Sequence, residues 1–178
     1  MRNLWHIDKT DRITPELFLS CVEITKGSKC KYELDKETGA LILDRILSTS
    51  TAYPHNYGFI PATLSEDGDP LDVLLLCSET ILPLSLVECK PIGVLLMRDN
   101  GSEDEKIIAV VNTDPFYKDY NDIKELPNHI VDEIRHFFAV YKQLEINSNV
   151  DVEAILSARA AKRIIVESIE RYNNTFKK

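Results

Sequence analysis

The sequence predicts an α+β domain in which an antiparallel sheet or small barrel comes first and helices follow. Two observations carry this prediction. Between Phe18 and Val111, short apolar runs rich in β-branched residues alternate with Gly, Pro and Asp turns, as strands do. From Pro127 onward the apolar residues recur with a period of 3.6, as on the buried face of a helix. Strands followed by helices is the order of an α+β domain, and 178 residues suit a single domain, residues 1–178.

Residues 1–15 are expected to form a surface arm, and six strands are expected after it. The segment Asp35–Gly39 is typical of a tight turn between the second and third strands. Lys31 and Glu33 share one face of their strand, with Arg45 on the partner strand, and charges placed in this way line a surface or a cavity mouth. The predicted strands are Phe18–Ile24, Cys30–Leu34, Ala40–Ile46, Val73–Leu76, Leu86–Met97 and Ile107–Val111.

The stretch Ser48–Pro61 is predicted to be irregular, and its centre reads Tyr53-Pro54-His55-Asn56-Tyr57-Gly58. Two tyrosines around a Pro and before a Gly indicate a rigid loop. The loop either presents phenol hydroxyls or packs both rings, and the residues alone leave this choice open. His55 has no evident partner, so it is expected at the surface or behind a site.

The last third of the chain predicts two amphipathic helices. The first begins after Pro127, and Lys142 lies at the margin of its apolar stripe, where the ammonium group can reach past the core. His136 falls on the opposite face, toward solvent or another subunit. The second helix is predicted over residues 153–172, with a polar tail over Asn173–Lys178. The first stripe consists of Ile130, Ile134, Phe137, Phe138, Tyr141 and Leu144, and the second of Ile155, Ala158, Ile165, Ile169 and Tyr172.

The composition excludes several classes of function. A formal net charge of −8 argues against nucleic acid as the main partner, and it means that an anionic substrate would need bound cations beside it. The four cysteines have no zinc-ligand spacing and are expected to be free thiols in a reducing compartment. The N-terminal residues lack the apolar segment of a signal peptide, and no run of eighteen apolar residues occurs. The sequence therefore predicts a soluble, cytoplasmic protein.

The segment Asp67-Gly68-Asp69-Pro70-Leu71-Asp72 places three carboxylates directly before the buried run Val73–Leu76. Carboxylates this close repel one another, and partial burial raises the cost, so bound cations would stabilise the arrangement. Carboxylate oxygens are the ligands that Mg²⁺, Mn²⁺ and Ca²⁺ prefer. A solvated acidic turn is the alternative that the six residues leave open.

Two specific alternatives for this loop fail on the sequence. An EF-hand loop that began at Asp67 would need Gly and Glu where the chain has Asp72 and Ser78. Phosphatases that form an aspartyl-phosphate carry their Asp-x-Asp after a hydrophobic strand, whereas here the strand follows the carboxylates. A covalent mechanism is therefore disfavoured.

A second acidic segment, Arg98–Lys106, also precedes a predicted strand. Taken alone it is typical of a charged hairpin tip. Paired with the first acidic segment, it would supply opposing ligands to one metal cluster.

Together these segments resemble the family I soluble inorganic pyrophosphatases, in the compact bacterial form. The resemblance begins with Asp67–Val73 and extends over nearly the whole chain. The other matching segments are Lys31-Tyr32-Glu33, Asp44-Arg45, Tyr53–Gly58, Asp99–Lys106, His136-Phe137-Phe138 and Tyr141-Lys142. The resemblance implies a five-stranded antiparallel OB-like β-barrel flanked by two main C-terminal helices. It also implies Mg²⁺-dependent hydrolysis of pyrophosphate by direct attack of a metal-activated water, without a covalent intermediate.

The resemblance also implies a role for each matching residue. Asp69 would be the general base, with Glu33 and Tyr53 in support. The metal ligands would be Asp67, Asp72, Asp99, Asp104 and Glu23. The phosphate-binding residues would be Lys31, Arg45, Tyr57, Lys106, Tyr141 and Lys142.

The same resemblance implies several Mg²⁺ ions per site, with Mn²⁺ as a possible substitute, and a homohexamer as the assembly. Pyrophosphate would be the substrate, without nucleic acid or membrane as partners. One position departs from the family, because many members have Glu where this chain has Asn100. There are two competing hypotheses. One is a metal- or nucleotide-binding module without turnover, and the other is a two-metal nuclease or phosphodiesterase.

Overall fold

The computed structural model describes residues 3–7 and 10–177, and it contains eight strands and two α-helices. Short 3₁₀ turns lie at Leu4–His6, Thr10–Arg12 and Ile123–Glu125. The strands are β1 (Phe18–Ile24), β2 (Cys30–Leu34), β3 (Leu41–Ile46), β4 (Asn56–Phe59), β5 (Asp72–Leu76), β6 (Leu86–Asp99), β7 (Ser102–Val111) and β8 (Val150–Ser157). The helices are α1 (Asn128–Val140) and α2 (Ala158–Phe176).

The main sheet has the strand order β1-β4-β5-β7-β6-β8, and β1 also pairs with β6. That extra pairing joins β1, β4, β5, β7 and β6 into a ring of five strands, with β2 and β3 as a separate hairpin. The predicted α+β class with a curled, OB-like sheet and two C-terminal helices is confirmed. Two details differ from the expectation, since β5 and β7 run parallel and β8 adds a sixth strand beside β6. Apolar runs reveal which segments are strands, but they do not reveal which strands are neighbours.

Strand β5 lies at the centre of the core and separates its two halves. Val73 and Leu75 pack in the half that includes residues of α2, whereas Leu74 and Leu76 pack in the half that includes α1. All four are fully buried. A strand covered on both faces needs no polar alternation, and this explains the uninterrupted apolar run in the sequence.

Strand β4 lies inside the stretch that the sequence predicted to be irregular. Gly58 faces Val22 of β1, and a Cβ atom on Gly58 would lie 1.9 Å from the carbonyl oxygen of Cys21. Only glycine permits this close approach of two backbones. The Pro and Gly that suggested a loop are therefore features of a tightly packed strand and its entrance.

The second predicted helix begins five residues too early, because residues 153–157 belong to β8. Ile155 and Ala158, which suggested one helical stripe, lie on either side of the boundary between strand and helix. The first stripe is also too long, since α1 ends at Val140 and Leu144 is 68% exposed. At the other end, α2 continues through Phe176, so most of the predicted polar tail is helical; Lys178 lies outside the described residues.

The N-terminal segment is more than the predicted surface arm. Trp5 and Ile13 are buried, and residues 1, 2, 8 and 9 of the predicted arm lie outside the described residues. The indole nitrogen of Trp5 donates to the carbonyl oxygen of Thr63 at 2.8 Å, and the ring of Trp5 contacts Phe176 edge-on at 5.4 Å. These contacts join the N-terminal segment to α2 and to the loop that leads into β5.

His55 is buried, at 4% exposure, so the surface position, one of the two alternatives expected for it, is wrong. Neither ring nitrogen has a hydrogen-bond partner within the described part of the chain. Burial, together with the nearby charge of Lys26, lowers the pKa of His55 from 6.5 to about 4. The folded protein therefore disfavours protonation of this ring.

We expect His55 to make stability depend on pH between about 6.5 and 4. In that range the unfolded chain binds a proton at His55 and the folded chain does not, so the free energy of unfolding falls as pH falls. The loss between pH 7 and pH 5 should be about 2 kcal/mol. Urea unfolding of wild type and His55→Phe at both pH values measures it, with exposed His129→Phe as the control. An unchanged pH dependence in His55→Phe would contradict the assignment.

Candidate active site

A cavity of about 260 Å³ opens at one end of the curled sheet and collects most of the residues singled out in the sequence. It contains thirteen of the fourteen predicted site residues, Arg45 being the exception. They are Glu23, Lys31, Glu33, Tyr53, Tyr57, Asp67, Asp69, Asp72, Asp99, Asp104, Lys106, Tyr141 and Lys142. Segments far apart in the chain therefore meet at one place, as the resemblance implied.

The first acidic segment enters the cavity as a loop and ends as a strand. Asp67 and Asp69 lie in the loop, and Asp72 is the first residue of β5. The Asp67 carboxylate accepts a hydrogen bond from the backbone N–H of Asp69 at 2.9 Å, and Ser65 N–H donates to the Asp69 carbonyl oxygen at 2.7 Å. The backbone thus fixes the loop, while the Asp69 side chain stays 55% exposed.

The second acidic segment is a hairpin rather than a long turn. Strand β6 ends at Asp99, β7 begins at Ser102, and only Asn100 and Gly101 form the turn, both with positive φ. Because of its pairing with β6, strand β7 begins five residues before its predicted start at Ile107. Backbone pairing at an exposed hairpin does not require apolar side chains, so the sequence pattern gave no sign of this part of the strand. Asp104 therefore lies on a strand.

Lys106 connects the two acidic segments. Because β5 and β7 run parallel in this register, Lys106 lies beside Asp72. Its ammonium group donates to Asp72 Oδ2 at 2.6 Å and to Asp104 Oδ1 at 2.5 Å, and it is 5.9 Å from the centre of the Tyr57 ring. Burial acts to lower the pKa of Lys106, but the two carboxylates outweigh burial and raise it. Lys106 is therefore a charged group inside the protein.

Asp99 and Lys142 form a second ion pair in the cavity. Lys142 is the second residue after the end of α1, so the helix places its ammonium group at the turn between β6 and β7. The Oδ1 atom of Asp99 is buried and has no partner among the residues that the structure describes. One carboxylate oxygen is thus available to another ligand.

The β2–β3 hairpin carries two further cations, Lys31 and Arg45. Lys31 pairs with Glu33 and with Asp44, the latter at 3.0 Å. Arg45, across the hairpin from Lys31, bonds Asp44 at 2.6 Å and Glu145 at 2.9 Å instead of facing the cavity. Its Nη2 atom is buried without a partner in the described residues.

Glu23 lies at the inner wall of the cavity, on β1. Its Oε1 atom accepts a hydrogen bond from the backbone N–H of Leu34 at 2.7 Å. Burial raises the pKa of Glu23 to about 8, and the charges of Asp72 and Glu33 add to this effect. A nearby cation would reverse the shift by favouring the carboxylate.

Tyr53 and Tyr57 pack their rings in the core and also line the cavity, so the packing alternative that the sequence left open is confirmed for both. Tyr53 and Tyr57 have ring centres 5.3 Å apart, and Tyr53 lies 4.8 Å from Phe137 of α1. Burial raises the pKa of both phenols, and burial likewise raises that of Tyr141. All three hydroxyl groups therefore remain protonated donors.

Sequence reasoning assigned no role to Lys36 or Trp5, which also line the cavity, or to Asp44 and Glu145, which bind the hairpin cations. Lys36 lies in the predicted tight turn and pairs with Asp69. Asp44 stood within a matching motif but suggested no function. A charged turn residue and an isolated tryptophan carry no periodic signal, so only the folded chain shows that they line the cavity.

The cavity residues suit hard divalent cations. Seven carboxylates face four lysines across it, so negative charge is in excess, and Asp99 Oδ1 is buried without a partner in the described chain. In residues 3–7 and 10–177, no three His, Cys, Asp or Glu side chains are grouped closely enough to hold an ion as they stand. Lysine ammonium groups occupy the carboxylates instead, so an ion would bind by displacing them.

Comparison with known proteins identifies the family. Residues 20–173 match the model of the family described as inorganic pyrophosphatase. The chain belongs to the inorganic pyrophosphatase family. The sequence is 49% identical over 173 residues to soluble inorganic pyrophosphatase 2 of Chlamydomonas reinhardtii, covering 97% of this chain and 89% of that protein. It is 50% identical to soluble inorganic pyrophosphatase 1 of Arabidopsis thaliana, covering 94% of this chain and 79% of that protein.

Solved bacterial structures of the pyrophosphatase family have the same fold. The inorganic pyrophosphatase of Thermus thermophilus superposes with a TM-score of 0.90 at 40% identity, covering 96% of this chain and 99% of that one. The Helicobacter pylori pyrophosphatase gives a TM-score of 0.88 at 40% identity, with 90% and 96% coverage. None of the helices in the described part of this pyrophosphatase-family chain has the length and apolar character of a membrane span.

Asn100, the position at which the sequence was expected to depart from the family, is held by its turn. Its φ of 51° is left-handed, its N–H donates to the Asn149 carbonyl at 2.8 Å, and its Oδ1 accepts from Asn149 N–H at 3.0 Å. We expect Asn100→Glu to remain active, with altered metal affinity. Stability should fall by about 1 kcal/mol, because Glu tolerates this φ less well than Asn.

Asn100→Asp, which keeps the hydrogen-bond acceptor, and Asn100→Gly, which keeps the φ, are the matched controls for this change. Urea unfolding and a calorimetric Mg²⁺ titration of the three variants measure the two effects. A wild type that is inactive with Mg²⁺ and recovers activity on Asn100→Glu would refute the expectation.

Proposed function

We propose that this protein hydrolyses inorganic pyrophosphate to two orthophosphates, with water as the direct nucleophile and divalent metal ions as cofactors. The observation that carries the proposal is the gathering of thirteen of the fourteen predicted residues in one cavity. Family membership supports the reaction. Pyrophosphate is a small substrate, so its hydrolysis requires no polymer-binding surface. The net charge of −8 is unfavourable for a nuclease, because a nuclease must bind an anionic polymer.

Asp67, Asp72, Asp99 and Asp104, with Glu23, are the residues that would hold several Mg²⁺ ions, and Mn²⁺ would substitute. Bound ions of this kind lower the pKa of a water ligand and offset the charge of the substrate phosphates. The chain would provide the ligands from β1, a loop, the start of β5 and the two sides of the β6–β7 hairpin. Carboxylate oxygens from these positions would approach a bound ion from opposing sides.

Asp69 is proposed as the general base that accepts a proton from the attacking water. Its backbone is fixed in the acidic loop while its carboxylate extends into the cavity, with only Lys36 as an ion-pair partner among the described residues. Asp72, by contrast, is bonded to the buried Lys106. The Asp69 carboxylate is also the more exposed of the two, at 55% against 32%, so it has the better access to water.

Cations and phenols around the cavity are proposed to bind the two phosphoryl groups. Since phosphoryl transfer depends on positioning and charge stabilisation, these donors would lower the barrier without forming a covalent bond to the substrate. Arg45 would join them by rearranging its ion pairs with Asp44 and Glu145, and its unpartnered Nη2 atom supports this. Glu33 would orient Lys31, and Tyr53 would support Tyr57. The proposed phosphate ligands are Lys31, Arg45, Tyr57, Lys106, Tyr141 and Lys142.

A phosphate-release assay tests this function. Purified protein is given pyrophosphate, ATP or an oligonucleotide, each with Mg²⁺ and with EDTA. We expect release from pyrophosphate in preference to the others, and only with Mg²⁺. Metal binding without release would instead indicate a binding module, and preferential cleavage of the oligonucleotide would indicate a nuclease.

The assembly and the compartment are further parts of the proposal. We infer a cytoplasmic homohexamer, supported by the resemblance to the bacterial family members and by the free cysteines in the described chain. His136 on α1 is exposed and is the candidate contact between subunits. Light scattering of the purified protein should give six times the 20.3 kDa chain mass, and a monomer mass would refute the hexamer.

A further inference from the structure

Lys36 contacts the proposed base, although sequence analysis gave it no role in the site. It belongs to the turn between β2 and β3, and its ammonium group is paired with Asp69 Oδ1. Lys36 and Asp69 are 48% and 55% exposed, so both can move. The other cavity lysines pair with the proposed ligands Asp72, Asp99 and Asp104, or with Glu33 and Asp44 on the hairpin.

Two contacts of the N-terminal segment define the position of Lys36. The Asn3 side chain donates to the Lys36 carbonyl oxygen at 2.6 Å, and the Lys36 ammonium lies 5.2 Å from the centre of the Trp5 ring. Trp5 is itself fixed, because its carbonyl accepts from Ala62 N–H at 2.8 Å and its indole donates to Thr63. The loop that contains Ala62 and Thr63 continues directly into the acidic segment with Asp69.

We propose that Lys36 is a positioning residue that holds the Asp69 carboxylate on the hairpin side of the cavity until divalent ions enter. This inference rests on the proposed function. Trp5 provides an aromatic face on which the ammonium group stays close to Asp69. Asp69 is not a proposed ligand, but a divalent ion held by the neighbouring Asp67 and Asp72 would repel the Lys36 ammonium group. Weakening the pair of Lys36 with Asp69 is therefore part of the cost of metal binding.

Removing the ammonium group should therefore strengthen metal binding. An exposed ion pair contributes about 0.2–1 kcal/mol, and the upper part of this range, from about 0.4 to 1 kcal/mol, corresponds to roughly a two- to fivefold change in affinity. Lys36→Gln removes the charge and Lys36→Arg keeps it with a similar reach. Lys124→Gln, on an exposed 3₁₀ turn outside the cavity lining, is the control for an equal change in net charge.

The experiment is a calorimetric titration of the full-length, substrate-free protein with Mn²⁺ in 0.15 M salt. We expect two- to fivefold tighter binding in Lys36→Gln, and wild-type binding in Lys36→Arg and Lys124→Gln. In the Asp69→Asn background the effect of Lys36→Gln should fall below twofold, because the pair is already broken.

Three results would overturn the positioning role. They are wild-type affinity in Lys36→Gln, equal changes in Lys36→Arg and Lys36→Gln, or an undiminished effect in the Asp69→Asn background. A wild-type protein that binds no Mn²⁺ would instead refute the proposed metal site itself. The titration therefore separates failure of this inference from failure of the proposed function.

Discussion

Asp69→Asn is expected to lower turnover of pyrophosphate by about 10²-fold or more, the usual scale for loss of a general base. Asn has the same shape as Asp but cannot accept the proton. The acidic loop should keep its conformation, because the hydrogen bonds that fix it at Asp69 use only the backbone of that residue. Metal binding should be largely preserved, since the proposed ligands are other carboxylates.

Initial rates of phosphate release with Mg²⁺, together with a calorimetric metal titration, measure the two parts of this prediction. Asp119→Asn, in an exposed turn away from the cavity, is the matched control and should behave as wild type. Near-normal turnover in Asp69→Asn would assign the base to another residue. Loss of metal binding together with turnover would make Asp69 a ligand instead.

Lys106→Met is expected to destabilise the metal-free protein by about 3 kcal/mol. The Lys106 side chain is 6% exposed and bonds both Asp72 and Asp104, so its removal leaves two carboxylates facing each other without a cation. Breaking a buried ion pair typically costs 3–5 kcal/mol, and the 32% exposure of Asp72 reduces that figure here. Met replaces the aliphatic part of the side chain, so the loss reports the charge rather than a cavity.

Mg²⁺ should recover part of this stability, because divalent ions can neutralise the same carboxylates. Urea unfolding in EDTA and in Mg²⁺ measures both values. Lys124→Met makes the same substitution at an exposed site and should change stability by less than about 0.5 kcal/mol. A loss below about 1 kcal/mol in EDTA, or a loss that Mg²⁺ does not reduce, would contradict the role given to Lys106.

Much of the site could be predicted from the sequence because its chemistry is concentrated in short segments. Asp67–Asp72 places its carboxylates next to a buried strand, and the alternation or apolarity of β1, β2 and β5 sets the boundaries of those strands. Asp99 and Asp104 could be paired with that segment because they too lie at the edge of a strand. The sequence of residues within each short segment was enough to indicate these carboxylates.

Other features depend on contacts between distant segments and leave no local pattern. Strand β8 contains Ile155, whose spacing from Ala158 also fits a helix, and only pairing with β6 settles the choice. The sequence predicts a loop at Gly58, and only the backbone of Cys21 packed against it shows that Gly58 lies on a strand. The Lys36 and Arg45 partners likewise follow from how the β2–β3 hairpin packs, which no spacing in the sequence encodes.

The position of bound metal tests the central claim that four aspartates from the two acidic segments form one metal centre. Crystals soaked in Mn²⁺ give anomalous difference peaks at the ion positions. We predict peaks in the cavity within about 2.5 Å of carboxylate oxygens of Asp67, Asp72, Asp99 and Asp104, with the Lys106 and Lys142 ammonium groups displaced from their present partners. Peaks confined to other surface carboxylates, with both lysines still paired as they are here, would contradict the account.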